Sequence, residues 1–312
     1  MSKDTPTRLD FAADIDFASI LTNPILDIAA RVWEPDRYEA FQVCYRSMRR
    51  IDDLVDDLKV AHGAVPSDIA GKVRAEIERW LTMTRRRETP DPYQQKFLET
   101  IDRFAIPLWP WERLGRAMIY DLHHRGFANF RVFLRYAEGA AISPAAVFMH
   151  LCGVRREGDR YLAPRYDIRR AARPLAIFSY LVHIVRDFEK DQRAGLDYFA
   201  DDIIRQSGLD PALLHELAIT GANDERLRPL MRQYHRLTGQ YQQWARQSVD
   251  RTRPLIEDRY QLSLELIYNL YSQIYERCHP DARAFSGAVL NPPAEEINQR
   301  VQQTISTFKP TG

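Results

Sequence analysis

Residues 45–57 read YRSMRRIDDLVDD and lie in a long run whose apolar residues recur at helical spacing. Ile51, Leu54, Val55 and Leu58 continue that period through the acids, so the stretch is read as helix. On a helix, Asp52 and Asp56 are four apart and share one face, with Asp53 and Asp57 beside them. A second acidic stretch, RDFEKD at 186–191, repeats the spacing in Asp187 and Asp191, among apolar Ile177, Phe178, Leu181, Ile184, Val185 and Phe188. Taken alone, such a run is more often a solvated acidic face balanced by nearby Arg or Lys than a metal site. Carboxylates crowded against an apolar stripe suffer desolvation and mutual repulsion unless a cation lies between them, and the repeated spacing favours a cation. Two inward-facing helices of this kind make an oxygen-rich cluster of the sort Mg²⁺ shares with substrate phosphates. The chain therefore points to a diphosphate held by metal between helices, with Asp52, Asp56, Asp187 and Asp191 as metal ligands and Asp53 and Asp57 behind them.

Composition agrees with a large helical enzyme. The 312 residues are 45% hydrophobic, enough for a substantial core. Aromatic residues make up 11%, with fifteen Tyr, high for a plain helical scaffold. A net charge of +1 without a long basic face argues against nucleic acid as a partner. Cys44, Cys152 and Cys278 are widely spaced, show no metal-ligand pattern and suit a reducing cytosol. Residues 1–16 are polar and lack the apolar core of a signal peptide. No run approaches the roughly 18 apolar residues of a membrane span. The expectation is a cytoplasmic protein with peripheral membrane contact if its substrates are greasy; its oligomeric state is not readable.

Working outward, residues 1–22 read as a loosely held arm. Asn23-Pro24 starts a helix ended near Pro35, and Asp36 opens the helix of the first motif, closed by His62-Gly63. Further helices are expected over 67–84, from Pro92 through Ile101, and between Pro107 and residue 121. Arg85-Arg86-Arg87 suits a helix end, where cations complement the dipole. Residues 130–152 form a less polar helix rich in small residues, bent by Pro144. Residues 155–164 read as a polar loop, and the second motif's helix runs over about 168–192. GLDYFADD turns into a short helix, and segments 211–219, 224–251 and 253–278 are helical again. Beyond residue 280 comes a tail with a modest amphipathic stretch at 294–308. The assignment is a single-domain all-α bundle around a central cavity over 23–280, with an arm at 1–22 and a tail at 281–312.

Tyr45-x3-Arg49-x2-Asp52-Asp53-x2-Asp56 and Arg186-Asp187-x3-Asp191, with Tyr198 shortly after, resemble the two aspartate-rich signatures of the squalene/phytoene synthase family. The resemblance runs from about residue 23 to about residue 278. It implies an isoprenoid-synthase-type fold and a prenyltransferase joining two prenyl diphosphates head to head (1'-1), through a cyclopropyl diphosphate. The substrates it implies are farnesyl or geranylgeranyl diphosphate, and the products are squalene-, dehydrosqualene- or phytoene-type hydrocarbons of isoprenoid and carotenoid biosynthesis. Such chemistry needs the leaving diphosphate neutralised, here by roughly two or three Mg²⁺ ions acting as Lewis acids. NADPH is required only if the product is squalene.

Arg49 and Arg186, next to the acids, are expected to complete the diphosphate clamp, and Tyr45, one turn before Arg49, to donate to phosphate oxygen. Tyr136 matches a tyrosine the family places near the reacting centre. Ala140 and Ala141, within RYAEGAAISPAA, fall where the family's small-residue segment lines the prenyl pocket, although ordinary helix packing explains the same composition. Faces of Tyr136, Phe133, Phe178 and Tyr271 could stabilise a carbocation or serve simply as core.

The chain departs from the family in three places. Tyr180 and His183 stand where Gln and Asn are usual. Leu196 and Asp197 replace a basic residue, with Arg193 nearby. TNPIL replaces the N-terminal phosphate loop. His183 could still bond phosphate, or could be a buried structural histidine. The competing readings are a terpene synthase cyclising one prenyl diphosphate, a non-catalytic relative acting as a binding or assembly factor, and a helical scaffold with acidic patches.

Overall fold

A computed structural model describes residues 10–62, 65–124, 126–221 and 223–311 of the chain. Within them the architecture is almost wholly helical. Helices α1 (Asp10–Ala13) and α2 (Ile25–Ala30) precede the long α3 (Pro35–His62), which carries the first acidic motif. Gly63, expected to close it, lies outside the described residues, as does the arm up to residue 9. The described part of the arm is anchored through buried Phe17 and Ile20. Helices α4 (Ser67–Arg86), α5 (Pro92–Arg103) and α6 (Trp109–Asp121) follow. Asp91 caps α5 by accepting from the Tyr93 N–H, with Pro92 at the first helical position, where its missing N–H costs nothing. At the end of α4, Arg87 takes the left-handed conformation at φ 59° and returns its N–H to Met83 and Thr84.

The segment expected as one bent helix is two, α7 (Phe130–Ala140) and α8 (Ile142–Gly153). Pro144 has no N–H to offer the Ala140 carbonyl and its ring crowds it, so the ladder opens there instead of bending. The expected polar loop at 155–164 contains a small hairpin, β1 (Arg155–Glu157) against β2 (Arg160–Leu162), paired Glu157↔Arg160 across a two-residue turn. Gly158 supplies the left-handed φ of 61° that this turn uses. The second motif is also divided: α9 (Ile168–Arg186) stops at Asp187, whose φ −93° and ψ 7° leave the helical range, and α10 (Phe188–Arg193) begins after it. Asp167 caps α9 by accepting from the Arg170 N–H.

Helices α11 (Asp201–Gln206), α12 (Pro211–Thr220), α13 (Arg228–Thr252), α14 (Asp258–Arg277), α15 (Gly287–Leu290) and α16 (Ala294–Thr307) complete the chain. The centre is α9, packed on α8, α13 and α14, while α3 packs on α5, α6 and α8. Helix α16 lies along α14, and beyond it the Thr311 N–H donates to Gln261 Oε1 at 2.9 Å. Between α2, α3, α8, α9 and α14 the side chains leave a cavity of about 790 Å³. Among the described residues no helix is long and apolar enough to cross a membrane. The three cysteines are buried and unpaired.

Candidate active site

The cavity is two-ended. Most of its wall is apolar, drawn from Ile28 on α2, Met48 on α3, Ala145 and Phe148 on α8, Leu175 on α9 and Leu270 on α14. Its polar end is made by Tyr45, Arg49, Asp52, Tyr180, His183, Arg186 and Tyr271. Ala140 and Ala141, at the α7–α8 break, line it too, as do Thr22, Asn23 and Pro24 of the TNPIL segment. A volume of this size lies in the range of pockets that enclose drug-sized ligands.

In the first motif, Asp52 and Asp56 project from α3 with Ile51 and Val55 buried behind them. Burial, then the charge of Asp56, pushes the Asp52 carboxyl up to about 7. Asp56 is raised as well, by burial and then by Asp121. Arg49 leans along its own helix, donating to Asp52 at 2.7 Å and pairing with Asp53. Asp57 is exposed.

The second motif is differently wired. Arg186 holds Asp187 through two hydrogen bonds of 2.7 and 2.6 Å, and this pairing, outweighing burial, holds the Asp187 carboxyl well below the usual carboxylate range. Asp191, on the next helix, is pushed up to about 7 by burial and then by Asp187, and it also feels Asp56 across the site. Asp191 of the second motif therefore lies on the side of α10 that is turned toward Asp56 of the first. His183 accepts from Arg186 Nη2 at its Nδ1 (2.6 Å), so its proton sits on Nε2 and is donated to the Tyr271 hydroxyl at 2.8 Å. The imidazole is thus neutral and serves to orient Arg186, and burial lowers its pKa.

Among the described residues no three His, Cys, Asp or Glu side chains converge closely enough to chelate a metal. The donor set nevertheless fits a hard divalent cation. Asp52, Asp56 and Asp191 are part-buried carboxylates raised by burial and then by neighbouring carboxylates, Asp56 for Asp52, Asp121 for Asp56 and Asp187 for Asp191, and this is the repulsion a bound cation removes.

Other expected site residues are dispersed. Phe178 is fully buried and meets Tyr268 and Tyr275 rather than the cavity. Arg193 pairs with Glu189 at 2.9 Å on an exposed face. Phe133 and Tyr136 lie one layer behind the wall, with Tyr180 in front of them.

A feature the sequence did not reveal lies beneath the first motif. Asp121, the last residue of α6, has a side chain 0% exposed and three donors on it. Its Oδ1 accepts from Lys59 Nζ at 2.6 Å and faces His124 Nδ1 at 3.1 Å, while Oδ2 accepts from the Tyr136 hydroxyl at 3.2 Å. Against the cost of burial, His124 and Lys59 hold the Asp121 carboxyl below its ordinary value. The legible signal was a lone Asp ending an apolar helix and a Lys three residues after Asp56 on the same face.

This fold and site define the class: an all-α isoprenoid-synthase-type bundle, with an apolar cavity whose polar end carries Asp52, Arg49 and Arg186. The profile of the squalene/phytoene synthase family matches residues 27–295, and the chain belongs to that family, whose members are prenyltransferases. It is 26% identical over 201 residues to the chloroplastic phytoene synthase of Narcissus pseudonarcissus, covering 64% of this chain and 44% of that protein. It is 25% identical over 178 residues to chloroplastic phytoene synthase 2 of Solanum lycopersicum, covering 56% and 54%. The aligned stretch thus spans about half, or less, of these relatives' length. Among solved structures it resembles a dehydrosqualene synthase in complex with ligand, with a TM-score of 0.72 at 15% identity over 93% of this chain and 94% of that one. It also resembles a squalene synthase from Alicyclobacillus acidocaldarius, with a TM-score of 0.57 at 14% identity over 92% and 88%. At those identities the likeness speaks for the fold.

Proposed function

We propose that this chain condenses two prenyl diphosphates head to head into a squalene-, dehydrosqualene- or phytoene-type hydrocarbon, releasing diphosphate. The observation that carries the reading is an apolar cavity of about 790 Å³ whose polar end carries Asp52, Arg49, His183 and Arg186, with Asp191 of the second motif near enough to feel Asp56 of the first. An amphiphile with a long hydrocarbon tail and a multiply charged head fits that division. When bound, Mg²⁺ supplies Lewis-acid neutralisation of the departing diphosphate, with Asp52, Asp56, Asp187 and Asp191 as its holders.

The chain's own residues do the rest. Arg49 and Arg186 present guanidinium groups at the polar end, and the His183–Tyr271 pair keeps Arg186 from swinging freely. Tyr45, stacked on Phe41 with ring centroids 5.5 Å apart, holds its hydroxyl at the same end. The apolar walls exclude water, which would otherwise capture an allylic cation as an alcohol. The relatives' names include phytoene synthase and the structural neighbours' dehydrosqualene and squalene synthase, all consistent with head-to-head coupling through a cyclopropyl diphosphate.

Purified protein incubated with Mg²⁺ and either farnesyl or geranylgeranyl diphosphate, with and without NADPH, tests the proposal by mass spectrometry of the extract. A C30 or C40 hydrocarbon is expected, with NADPH changing the product only if it is squalene. A C15 or C20 cyclised hydrocarbon would replace this reading with a single-substrate terpene synthase. No turnover by folded protein would leave a binding role.

A further inference from the structure

Tyr180 is the aromatic residue of the second-motif helix that meets the cavity next to Asp52. One face of its ring is stacked on Phe133, with centroids 5.5 Å apart and planes within 15°. Tyr198 stands across it at 6.2 Å in an edge arrangement, and Tyr136 lies behind at 6.5 Å. The ring is therefore fixed on several sides and borders the cavity on another. Its hydroxyl is held in the neutral phenol, since burial and the nearby Asp121 push its pKa well up. A neutral, electron-rich ring immobilised beside the departing diphosphate is the arrangement that stabilises a cation by its quadrupole.

The backing is itself anchored. The Tyr136 hydroxyl donates to Asp121, and Asp121 is fixed by Lys59 and His124. Asp121 thus acts on this wall through geometry, by fixing the Tyr136 hydroxyl.

Resting on the proposed function, we propose that Tyr180 is the cation-stabilising wall of the cavity and that Asp121, acting through Tyr136, is its positioning residue. Heterolysis of the C1–O bond sends the electron pair out with diphosphate and leaves an allylic cation. Tyr180 is the ring that meets that charge, whereas Phe133 and Tyr136 hold the ring in place.

The test compares two probes of equal chain length in the presence of Mg²⁺ and inorganic diphosphate: a prenyl dimethylammonium ion and its neutral hydrocarbon isostere. Tyr180→Leu is expected to weaken the ammonium ion about tenfold and the isostere less than about twofold, while Tyr180→Phe leaves both near wild type. In turnover, Tyr180→Leu shifts product from hydrocarbon to prenyl alcohol. Asp121→Asn lowers the ammonium-over-isostere preference in the wild-type background and has no further effect on it in Tyr180→Leu, whereas a merely structural role weakens both probes together. Equal losses for both probes, or no loss, overturn the inference. If Tyr180→Leu does not fold, Tyr180→Met carries the same expectation. Wild-type protein that makes C30 or C40 hydrocarbon while the variants show no selectivity removes this inference alone; wild-type protein that makes none removes the proposed function and this inference with it.

Discussion

The two acidic motifs have the same spacing and opposite wiring. On α3 the helix runs unbroken through Asp52 and Asp56, both are raised by burial and by neighbouring carboxylates, and the one buried lysine on that face is committed to Asp121. On α9 the helix stops at Asp187, which is claimed by Arg186, leaving Asp191 alone with a raised carboxyl. Spacing puts acids on one face, but charge state is set by which cation reaches them. The first motif contributes two carboxylates that stay raised although Arg49 reaches Asp52, and the second contributes one, with a second released only when Arg186 turns to another anion. An arriving diphosphate is such an anion, so ligand and metal are expected to assemble together at the second motif.

The largest effect should come from removing the acids whose carboxyls are raised to about 7. Asp52→Ala or Asp191→Ala is expected to lower kcat/KM by about a thousandfold, several kcal/mol of lost leaving-group stabilisation, measured by product formation at saturating Mg²⁺. Asp187→Ala should instead free Arg186, lowering affinity for Mg²⁺ more than affinity for diphosphate alone, which calorimetry separates. Next is the brace beneath the first motif. With side chains 7% and 0% exposed, the Lys59–Asp121 pair leaves a buried unpaired charge when one member goes. Lys59→Met is expected to cost about 3–5 kcal/mol in denaturant unfolding, and Lys59→Met/Asp121→Leu to recover much of it.

A smaller effect is expected at the orienting histidine. His183→Ala should weaken diphosphate binding about tenfold with little change in melting temperature, because Arg186 loses its brace rather than the core losing a contact. The motifs can also be separated by pH in the metal-free protein. Carboxyls raised in the folded state, such as Asp52 and Asp191 at about 7, bind a proton more tightly when folded than when unfolded. Their contribution therefore favours folding below the unfolded value near 4 and is lost as pH rises through about 7. Thermal melts of wild type should fall across that window, and Asp52→Asn or Asp191→Asn should flatten the fall, while Asp187→Asn should not. The smallest effect is at Arg193, whose exposed pair with Glu189 carries little: Arg193→Ala should leave activity unchanged and stability within about 0.5 kcal/mol.

Much of this arrangement was legible in the sequence because it rests on local rules. Apolar periodicity located the long helices, prolines at 92 and 211 marked their starts, and the DxxxD spacing singled out the candidate acids. Pro144 signalled a disturbance, although a break rather than a bend followed, since the outcome depends on whether neighbouring packing keeps the opened carbonyl in line. The hairpin at 155–162 carried a Gly-Asp turn signal that its many charges obscured. What could not be read were contacts across long separations. Lys59 and Asp121 are 62 residues apart, and His183 and Tyr271 are 88 apart, so neither pairing leaves a local pattern. The aromatic candidates show the same limit: periodicity makes Phe178, Phe133 and Tyr180 equally core-like, and only the packing of α9 against α13 and α14 on one side and the cavity on the other sorts them.

The central claim is that two substrate molecules are joined in one cavity, and a mixed-label incubation tests it most directly. Unlabelled and fully deuterated prenyl diphosphate of the same chain length are supplied together with Mg²⁺, and the hydrocarbon is analysed by mass spectrometry beside an Asp52→Ala/Asp187→Ala control. The account predicts a hydrocarbon of twice the substrate's carbon number, including a species with one labelled and one unlabelled chain, and none in the control. Products of the substrate's own carbon number, each wholly labelled or wholly unlabelled, would contradict it.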